Sequence, residues 1–430
     1  MNDKSMFGDN TKENIYHCIK CGLCMAHCPV YKELLVESAT PRGKVQLSRQ
    51  LSEGDLDLAE EVKNAFFSTC LLCGGCVANC PSGVHGTHLY SGVRWRAVQR
   101  YGMDWRKNVV FQLLASSWMM STSVWFGRWA RKTFGSERLE SKVNAGALNL
   151  ARIPALNEKP FSRMVPEVTA STGTARAKVL YFHGCATNFL YGKTGLAVVD
   201  VLGKMGVEVV TPRNQGCCGM PIFMSGDREA SLRVIRETLK VFAREDVDAV
   251  VCDCATCSDG LKMEYAHLLR DLRELGESVP EEEIAAAELL GRKVKDVTVF
   301  IDEHKDWLPA MRDGGRKIRV TYHDPCHLVN AQKVGAQPRN ILKAIPGVEY
   351  VELPGANECC GGGGAFQVEH AETSRKITRK KVDNIHGTGA QVLATCCPGC
   401  NLTISNHLDP DRKVEVMHPV QLLQIALEGK

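Results

Sequence analysis

The chain has 430 residues, of which 44% are hydrophobic and 24% are charged, and its formal net charge is +4. The length predicts roughly three domains, and the composition excludes a disordered or fibrous protein. So small a net charge, with no dense basic run, excludes a nucleic-acid-binding protein. The charged first residues do not form a signal peptide, so we expect a cytoplasmic protein whose 20 cysteines stay reduced and bind metal.

Residues 1–100 contain two matching cysteine runs and are predicted to form a helical ferredoxin domain with two [4Fe-4S] clusters. Each run has the spacing C-x2-C-x2-C-x3-C followed by proline, which is typical of bacterial two-cluster ferredoxins. Three thiolates of a run surround one cluster, and the fourth reaches the other cluster. The predicted ligands are Cys18, Cys21, Cys24 and Cys80 for the first cluster, and Cys28, Cys70, Cys73 and Cys76 for the second.

Zinc is the alternative at these cysteines, because zinc sites also use C-x2-C spacing. A zinc site, however, pairs two such knuckles and does not require four cysteines in one run ahead of a proline. Iron–sulfur clusters are therefore favoured. With so many ligands and so little room for a core, the domain is expected to fold only with its clusters bound.

Residues 101–176 are predicted to be a helical connector with a tryptophan-rich stretch. No charge lies between Lys107 and Arg128, which is long enough to cross a bilayer, but its serines, threonine and glutamine disfavour a span. Basic flanks and tryptophans permit an interfacial helix over 108–129, in peripheral contact with the cytoplasmic face of the inner membrane. The composition favours a helix packed on the protein or on a partner. The tryptophans are Trp105, Trp118, Trp125 and Trp129.

From Lys178 onward the chain contains an internal repeat, which we divide into residues 177–295 and 296–430. In each half, three β-type runs end in loops that carry cysteine, and helical patterns such as Gly195–Lys204 fill the gaps. Alternating strands and helices predict parallel α/β units with functional groups at the carboxyl ends of the strands. The predicted fold class is α+β multidomain, with an α-helical ferredoxin domain followed by two repeated α/β domains.

Each repeat supplies five cysteines from three strand ends at nearly equal spacing, and we predict them to be metal ligands. Two matching sets are hard to obtain from packing alone, although a buried cysteine is often only a small apolar residue. Cys252 and Cys396 lie outside the pattern and are predicted to be core residues. The first set is Cys185, Cys217, Cys218, Cys254 and Cys257, and the second is Cys326, Cys359, Cys360, Cys397 and Cys400.

Glycines surround these cysteines, at Gly216, Gly219 and 361–364, and would let backbone N–H groups point at sulfur. They do not form a nucleotide site. The interval from Gly184 to Gly192 is too long for a P-loop, and 361–364 lacks the G-x-G-x-x-G register. We therefore predict no flavin or nicotinamide site in this chain, so two-electron substrate chemistry requires a partner subunit.

The whole chain resembles the iron–sulfur subunit of glycolate and D-lactate oxidases and the catalytic subunit of heterodisulfide reductase, which join a ferredoxin domain to two cysteine-rich "CCG" domains. The Thr-Pro-Arg-Gly and Cys-Pro-Ser-Gly-Val strings are most similar to the glycolate oxidase branch. The strings that carry the resemblance are Cys18-Ile-Lys-Cys-Gly-Leu-Cys24, Thr40-Pro-Arg-Gly43, Cys80-Pro-Ser-Gly-Val84, His323-Asp-Pro-Cys-His327 and Glu358-Cys-Cys-Gly-Gly362.

The resemblance implies an oxidoreductase complex in which a partner FAD subunit oxidises glycolate, D-lactate or a similar 2-hydroxy acid. This chain would then pass electrons to a quinone or another carrier. The intact five-cysteine sets also resemble the non-cubane [4Fe-4S] sites of heterodisulfide reductase, so one or two further clusters and reduction of a disulfide form the alternative. A zinc or scaffold protein without redox function is the third hypothesis.

Two histidines flank the second set, but no catalytic residue is assigned from the sequence. His323 and His327 either tune a cluster by hydrogen bonding, relay a proton, or pack beside the loop.

Overall fold

The structure is a computed structural model, and it describes residues 7–116, 119, 120, 122, 124, 144–149, 152–312, 314, 315 and 317–429. Trp118, Trp125 and Trp129 lie outside these residues, so only the first part of the tryptophan-rich stretch can be compared with its prediction. Within the described ranges, no helix is long and apolar enough to cross a membrane.

The N-terminal part of the chain is helical. The Thr40 hydroxyl accepts a hydrogen bond from the Gly43 N–H at 2.9 Å and caps the helix Pro41–Glu53, whose first residue, proline, has no N–H to satisfy. Tyr90 lies in the core of this domain and donates to the Pro41 carbonyl at 2.8 Å. The helices are Asp9–Asn14, Leu23–Ala26, Pro29–Leu34, Pro41–Glu53, Glu60–Phe67, Gly75–Ala78 and Gly86–Tyr101.

The helix Trp105–Ala115 begins the predicted connector. Its Phe111 is buried against Ile222 and Val234 of the following domain, and its Gln112 accepts a hydrogen bond from Arg233 at 2.9 Å. The described part of the stretch is therefore packed on the protein, in agreement with the favoured interpretation.

The rest of the connector range is less helical than the sequence predicts. Strands β1 (Asn144–Ala145) and β2 (Leu148–Asn149) form an antiparallel hairpin, and β3 (Val168–Thr169) joins the first large sheet. Strands of two residues are too short to produce a periodic pattern, which is why the sequence does not indicate them.

The first α/β domain is built on a five-stranded sheet of order β3-β5-β4-β6-β7, in which β3 alone runs antiparallel. The central strand β6 is buried along its whole length, as expected for a parallel strand covered on both faces. The parallel strands are β4 (Ala177–Phe182), β5 (Val207–Val210), β6 (Ala249–Cys252) and β7 (Val294–Asp296). The helices are Gly184–Phe189, Gly192–Lys204, Met220–Met224, Arg228–Phe242, Ala255–Asp259, Tyr265–Glu274 and Glu281–Lys293.

The second α/β domain repeats this topology in an all-parallel sheet of order β11-β10-β8-β9. The order matches β7-β6-β4-β5 of the first sheet, which confirms the internal repeat. The strands are β8 (Ile318–Tyr322), β9 (Val348–Tyr350), β10 (Val392–Ala394) and β11 (Glu415–Met417). The helices are Val297–Glu303, Ala336–Ala344, Phe366–Glu369, Ala371–Gly387, Pro398–His407 and Pro419–Glu428.

The two α/β domains share one hydrophobic core. Tyr181 of β4 and Tyr322 of β8 belong to the same cluster of buried residues, and the helix Gly192–Lys204 of the first domain packs against Pro419–Glu428 of the second. The predicted α+β multidomain class is confirmed. Because the domains are fused through a common core, the loops at their strand ends hold fixed positions relative to one another.

Candidate functional site

The two ferredoxin loops have the same unusual backbone. Lys20 and Leu72, each two residues after the first cysteine of its run, have φ values of 57° and 51°, and Gly22 and Gly74 have values of 82° and 67°. Left-handed backbone is strained for residues other than glycine. Its occurrence at matched positions indicates loops that bend around a bound group.

The structure brings the predicted ferredoxin ligands together across the two runs. Cys28 lies beside Cys70 and Cys73: burial first, and then the charges of Cys73 and Cys70, raise the pKa of Cys28 to about 11. The fourth cysteine of the other run is exchanged in the same way. One small cavity is lined by Cys18, Cys21, Cys24 and Cys80, with Cys76 at its edge toward the second set. This is the interleaved arrangement that the spacing predicts.

Backbone N–H groups point at several of these sulfurs. The donor-to-Sγ distances are 3.4 Å for Tyr31 to Cys28, 3.4 Å for Leu72 to Cys70 and 3.3 Å for Val84 to Cys80. All 20 cysteines are free thiols. Reduced thiols that accept backbone hydrogen bonds fit the ligands of an iron–sulfur cluster, whose potential depends on such contacts.

Two buried cations lie beside the second ferredoxin set. Lys44 is 1% exposed, and its Nζ donates to the Ala39 carbonyl at 2.7 Å. Burial lowers the pKa of Lys44, against the opposing charge of the neighbouring cysteine thiolates. Arg94 donates to the carbonyls of Cys70 at 2.6 Å and Met224 at 2.8 Å, which ties the ferredoxin domain to the first α/β domain. Positive charge here offsets the negative charge of several thiolates.

The ten cysteines of the two repeats line one shared cavity of about 240 Å³. In the first set the Sγ atoms of Cys185 and Cys217 are 3.8 Å apart, and in the second set those of Cys360 and Cys400 are 3.5 Å apart. Cys70 of the ferredoxin domain lines the same cavity. The cavity is therefore a junction of all three domains, although the sequence treats the two sets as separate sites.

Both Cys-Cys-Gly segments depend on glycine. Gly219 and Gly361 have φ values of 77° and 87°, and their N–H groups lie 3.4 Å from the Sγ atoms of Cys217 and Cys359. Left-handed backbone turns each N–H back toward the sulfur two residues earlier. These contacts are the ones expected of the glycines around the cysteine sets.

Thiols of neighbouring sets contact one another. A hydrogen bond with Cys359 lowers the pKa of Cys73 to about 7, and this contact joins the ferredoxin domain to the second set. Hydrogen bonds with Cys254 and then Cys400 lower the pKa of Cys397 well below its usual value, and the Cys254 contact joins the first set to the second. A lowered pKa favours the thiolate, which is the form that binds metal.

His327 of the second domain lines the cavity and pairs with the first domain. Its Nδ1 lies 2.6 Å from Asp259 Oδ2. Burial opposes the protonation of His327, but the charge of Cys326 and the interaction with Asp259 outweigh it and raise the pKa of His327 to about 10. His327 therefore forms an ion pair across the domain boundary at the edge of the cysteine cavity.

A related pair links the ferredoxin domain to the first α/β domain. His88 Nε2 lies 3.3 Å from Glu264 Oε1, and the His88 ring stacks on His267 with 3.6 Å between ring centroids. Sequence reasoning missed these residues, together with Asp259, because they are distant in the chain and belong to no motif. Only their positions in the folded chain reveal them.

The two cysteines outside the pattern lie in the core. Cys252 and Cys396 are both 0% exposed and do not line the cavity. The Tyr322 hydroxyl donates to Cys396 Sγ at 3.4 Å. Their positions agree with the packing role predicted for them.

Comparison with protein families matches the two parts of this architecture. Residues 14–84 match the family described as "4Fe-4S dicluster domain", and residues 179–262 and 320–405 match the family "CCG: Cysteine-rich domain". The fold and its cysteine sites thus define an iron–sulfur protein with one dicluster domain and two CCG domains.

Curated relatives share this layout over most of their length. The chain is 29% identical to the probable glycolate oxidase iron-sulfur subunit of Bacillus subtilis, across 96% of this chain and 94% of that protein. It is 31% identical to lactate utilization protein A of Geobacillus, across 57% of this chain and 98% of that protein. It is 27% identical to one of the subunits of the fumarate reductase (CoM/CoB) from Methanothermobacter marburgensis, across 95% and 72% respectively. The chain belongs to the CCG-domain family of iron–sulfur subunits that contains these proteins.

Proposed function

We propose that the chain is the electron-transfer subunit of a complex in which a partner FAD subunit oxidises a 2-hydroxy acid, glycolate or D-lactate. Electrons then pass through this chain to a quinone or another carrier. Iron–sulfur clusters supply the one-electron chemistry, and the chain's own cysteines would hold them. The similarity to the probable glycolate oxidase iron-sulfur subunit along nearly the whole chain supports this function.

The observation that carries the proposal is a row of cysteine sites from the surface to the interior. Cys21 of the first ferredoxin set is exposed. The second ferredoxin set follows, where Cys73 contacts Cys359, and Cys254 contacts Cys397 beyond it. Adjacent redox sites in one row are what an electron conduit requires, because each transfer then covers a short distance.

The surface beside the first set suits a redox partner. Ile19 is 69% exposed and Leu23 is 54% exposed, and both flank Cys21. Exposed apolar side chains grouped around a functional site are typical of a protein-binding surface. We place the docking of the flavin subunit at this surface, where the flavin comes nearest to the first ferredoxin set.

The test uses the complex purified anaerobically from its own host. Adding glycolate or D-lactate should reduce the iron–sulfur clusters, followed by EPR and by loss of visible absorption. The double variant Ile19→Asp, Leu23→Asp should slow this reduction at least tenfold, while dithionite still reduces the clusters fully. Leu196→Asp, which changes an apolar residue 40% exposed on the first CCG domain, is the matched control and should behave as wild type.

Two results would contradict the proposal. One is a complex with intact flavin whose clusters neither acid reduces. The other is a surface variant that loses cluster reduction by dithionite as well, because the substitutions would then act on the cluster and not on docking.

A second candidate function is reduction of a disulfide within the cysteine cavity. It rests on the convergence of both five-cysteine sets on one cavity. Such a reaction consumes two electrons and two protons and releases two thiols, with the electrons arriving through the ferredoxin domain. Oxidation of the dithionite-reduced protein by a low-molecular-weight disulfide, abolished in Cys360→Ser and unchanged in Cys252→Ser, would favour this function over the conduit.

A further inference from the structure

His323 is the first residue after β8 and lies at the wall of the second CCG site. It is 0% exposed, and among the described residues neither of its ring nitrogens has a hydrogen-bond partner. A buried imidazole with both nitrogens unsatisfied costs free energy that a packing role does not return. Such a side chain points to a ligand that the protein atoms alone do not supply.

A ring nitrogen of His323 and two sulfurs form a compact donor set. The metal-binding atoms of His323, Cys360 and Cys400 all lie within 4.8 Å of one another, and the two sulfurs are 3.5 Å apart. Ligands of one tetrahedral metal ion are roughly 3.5–4 Å apart, given bonds of about 2.0–2.3 Å. No other three cysteine, histidine or carboxylate groups in the described parts of the chain approach one another so closely.

Three different elements hold these side chains. The His323 backbone N–H donates to the Ala394 carbonyl at 3.0 Å at the end of β10. The Cys360 carbonyl accepts a hydrogen bond from the Thr378 hydroxyl at 2.9 Å, and Cys400 lies in the first turn of the helix Pro398–His407. The donor set is therefore built from fixed backbone, and two thiolates with one neutral imidazole suit a divalent ion.

The first CCG domain lacks an equivalent set. Its His183, two residues before Cys185, uses Nδ1 for a hydrogen bond of 2.9 Å with the Gly184 carbonyl. No three metal-binding groups of that domain meet within the same distance, among the residues described. The repeated cysteine pattern thus conceals a difference between the two sites.

We propose that His323, Cys360 and Cys400 ligate one and the same metal atom, so that the second CCG site binds metal through nitrogen as well as sulfur. The metal is of the borderline class that accepts both donors, iron or zinc. The first CCG site and both ferredoxin sets bind through sulfur alone. This assignment holds whichever substrate the complex uses.

The experiment uses the full chain purified anaerobically from cells grown with [15N]histidine. Pulsed EPR detects a strongly coupled histidine nitrogen if the metal is iron, and zinc-edge X-ray absorption detects a mixed nitrogen and sulfur shell if it is zinc. His323→Gln should lose the metal of this site and the nitrogen signal. His323→Cys should keep the metal but lose the nitrogen, and His183→Gln, the matched control in the first CCG domain, should change neither.

The wild-type spectra decide the question even if His323→Gln does not fold. A metal in the second site with a sulfur-only shell and no coupled nitrogen would overturn the assignment. The same follows if wild type and the double variant Cys360→Ser, Cys400→Ser contain equal amounts of iron and zinc, because no metal then depends on this donor set.

Discussion

Gly361 and Gly364 lie in the same cysteine loop and both have positive φ, 87° and 60°. A Cβ at Gly361 would lie 2.6 Å from Thr378 Oγ1 and 2.9 Å from the Ser374 carbonyl oxygen, whereas Gly364 faces open space. We expect Gly361→Ala to lower the free energy of unfolding by about 3 kcal/mol and Gly364→Ala by about 1 kcal/mol, because both incur left-handed strain and only the first incurs a clash. Anaerobic denaturant titration measures both, and equal losses would contradict the role of the close contact.

Lys44 is the buried cation beside the second ferredoxin set. Reduction adds negative charge to a cluster, and a nearby ammonium stabilises that charge. At about 7 Å and an effective dielectric of about 20, one charge contributes roughly 2 kcal/mol, or on the order of 100 mV for one electron. Lys44→Met should therefore shift the midpoint potential of the nearer cluster to more negative values.

The potential is measured by EPR-monitored redox titration. Lys240→Met, which removes an exposed lysine paired with Glu237, should leave both ferredoxin potentials unchanged. A Lys44→Met protein with full iron content and an unshifted potential would show that Lys44 serves only to pack the helix Pro41–Glu53.

At the scale of secondary-structure elements, the sequence predicts whatever a motif marks. Each of β4, β6, β8 and β10 ends in a cysteine loop, and these strands were accessible from their apolar runs. The fourth strands of the two sheets, β7 and β11, have three residues each and no cysteine after them. Short strands leave no readable period, so the sheets are wider than the repeat alone indicates.

Contacts between elements are the part of the site that sequence reasoning did not reach. The spacing of the cysteines fixes which strand ends carry them, but not that both sets face one cavity. That convergence depends on the shared core in which Tyr181 and Tyr322 are buried. The histidine and carboxylate pairs follow from the same packing, and the individual residues occupy ordinary helix positions.

The pair of His88 and Glu264 joins the helix Gly86–Tyr101 to the first CCG domain and should make stability depend on pH. Burial opposes the charge on both, but their mutual interaction outweighs it, lowering the pKa of Glu264 to about 2 and raising that of His88 above 6.5. Glu264 contributes stability above pH 4.5 that is lost as the pH falls toward 2. His88 contributes stability below pH 6.5 that is lost as the pH rises through its raised pKa.

Glu264→Gln should therefore cost most between pH 4.5 and 6.5, by about 2 kcal/mol for this mostly buried pair. The stacked His267 stays neutral there, because burial and the charge of His88 lower its pKa to about 4. Unfolding free energies across the pH range provide the measurement. Glu237→Gln, at an exposed ion pair, should give a small change that barely varies with pH, and a flat profile for Glu264→Gln would contradict the pairing.

At the scale of the whole molecule, the order of domains was predictable because each has its own cysteine pattern. Their mutual packing was not, since the contacts that hold the ferredoxin domain in place use backbone carbonyls and single side chains. Asn330 of the second CCG domain, for example, donates to the Cys73 carbonyl at 2.9 Å. No sequence pattern marks an asparagine for such a contact.

The domains should respond unequally to loss of iron. The segments around the ferredoxin cysteines include helices of four residues, Leu23–Ala26 and Gly75–Ala78, which are too short to be stable alone. The CCG sheets, in contrast, have strands buried in a large apolar core. Chelation under anaerobic conditions should therefore unfold the ferredoxin domain first, because binding of the clusters supplies much of its folding free energy.

Hydrogen exchange read by mass spectrometry tests this response. After iron removal, peptides from the helices Leu23–Ala26 and Gly75–Ala78 should exchange at least a hundredfold faster, while those from β4, β6, β8 and β10 should keep most of their protection. Protection lost together in both regions would mean that the clusters, and not the shared core, hold the CCG domains folded. Protection retained in both would mean that the ferredoxin helices are stabilised by their contacts with the CCG domains, such as those of Arg94 and Asn330, without any contribution from metal.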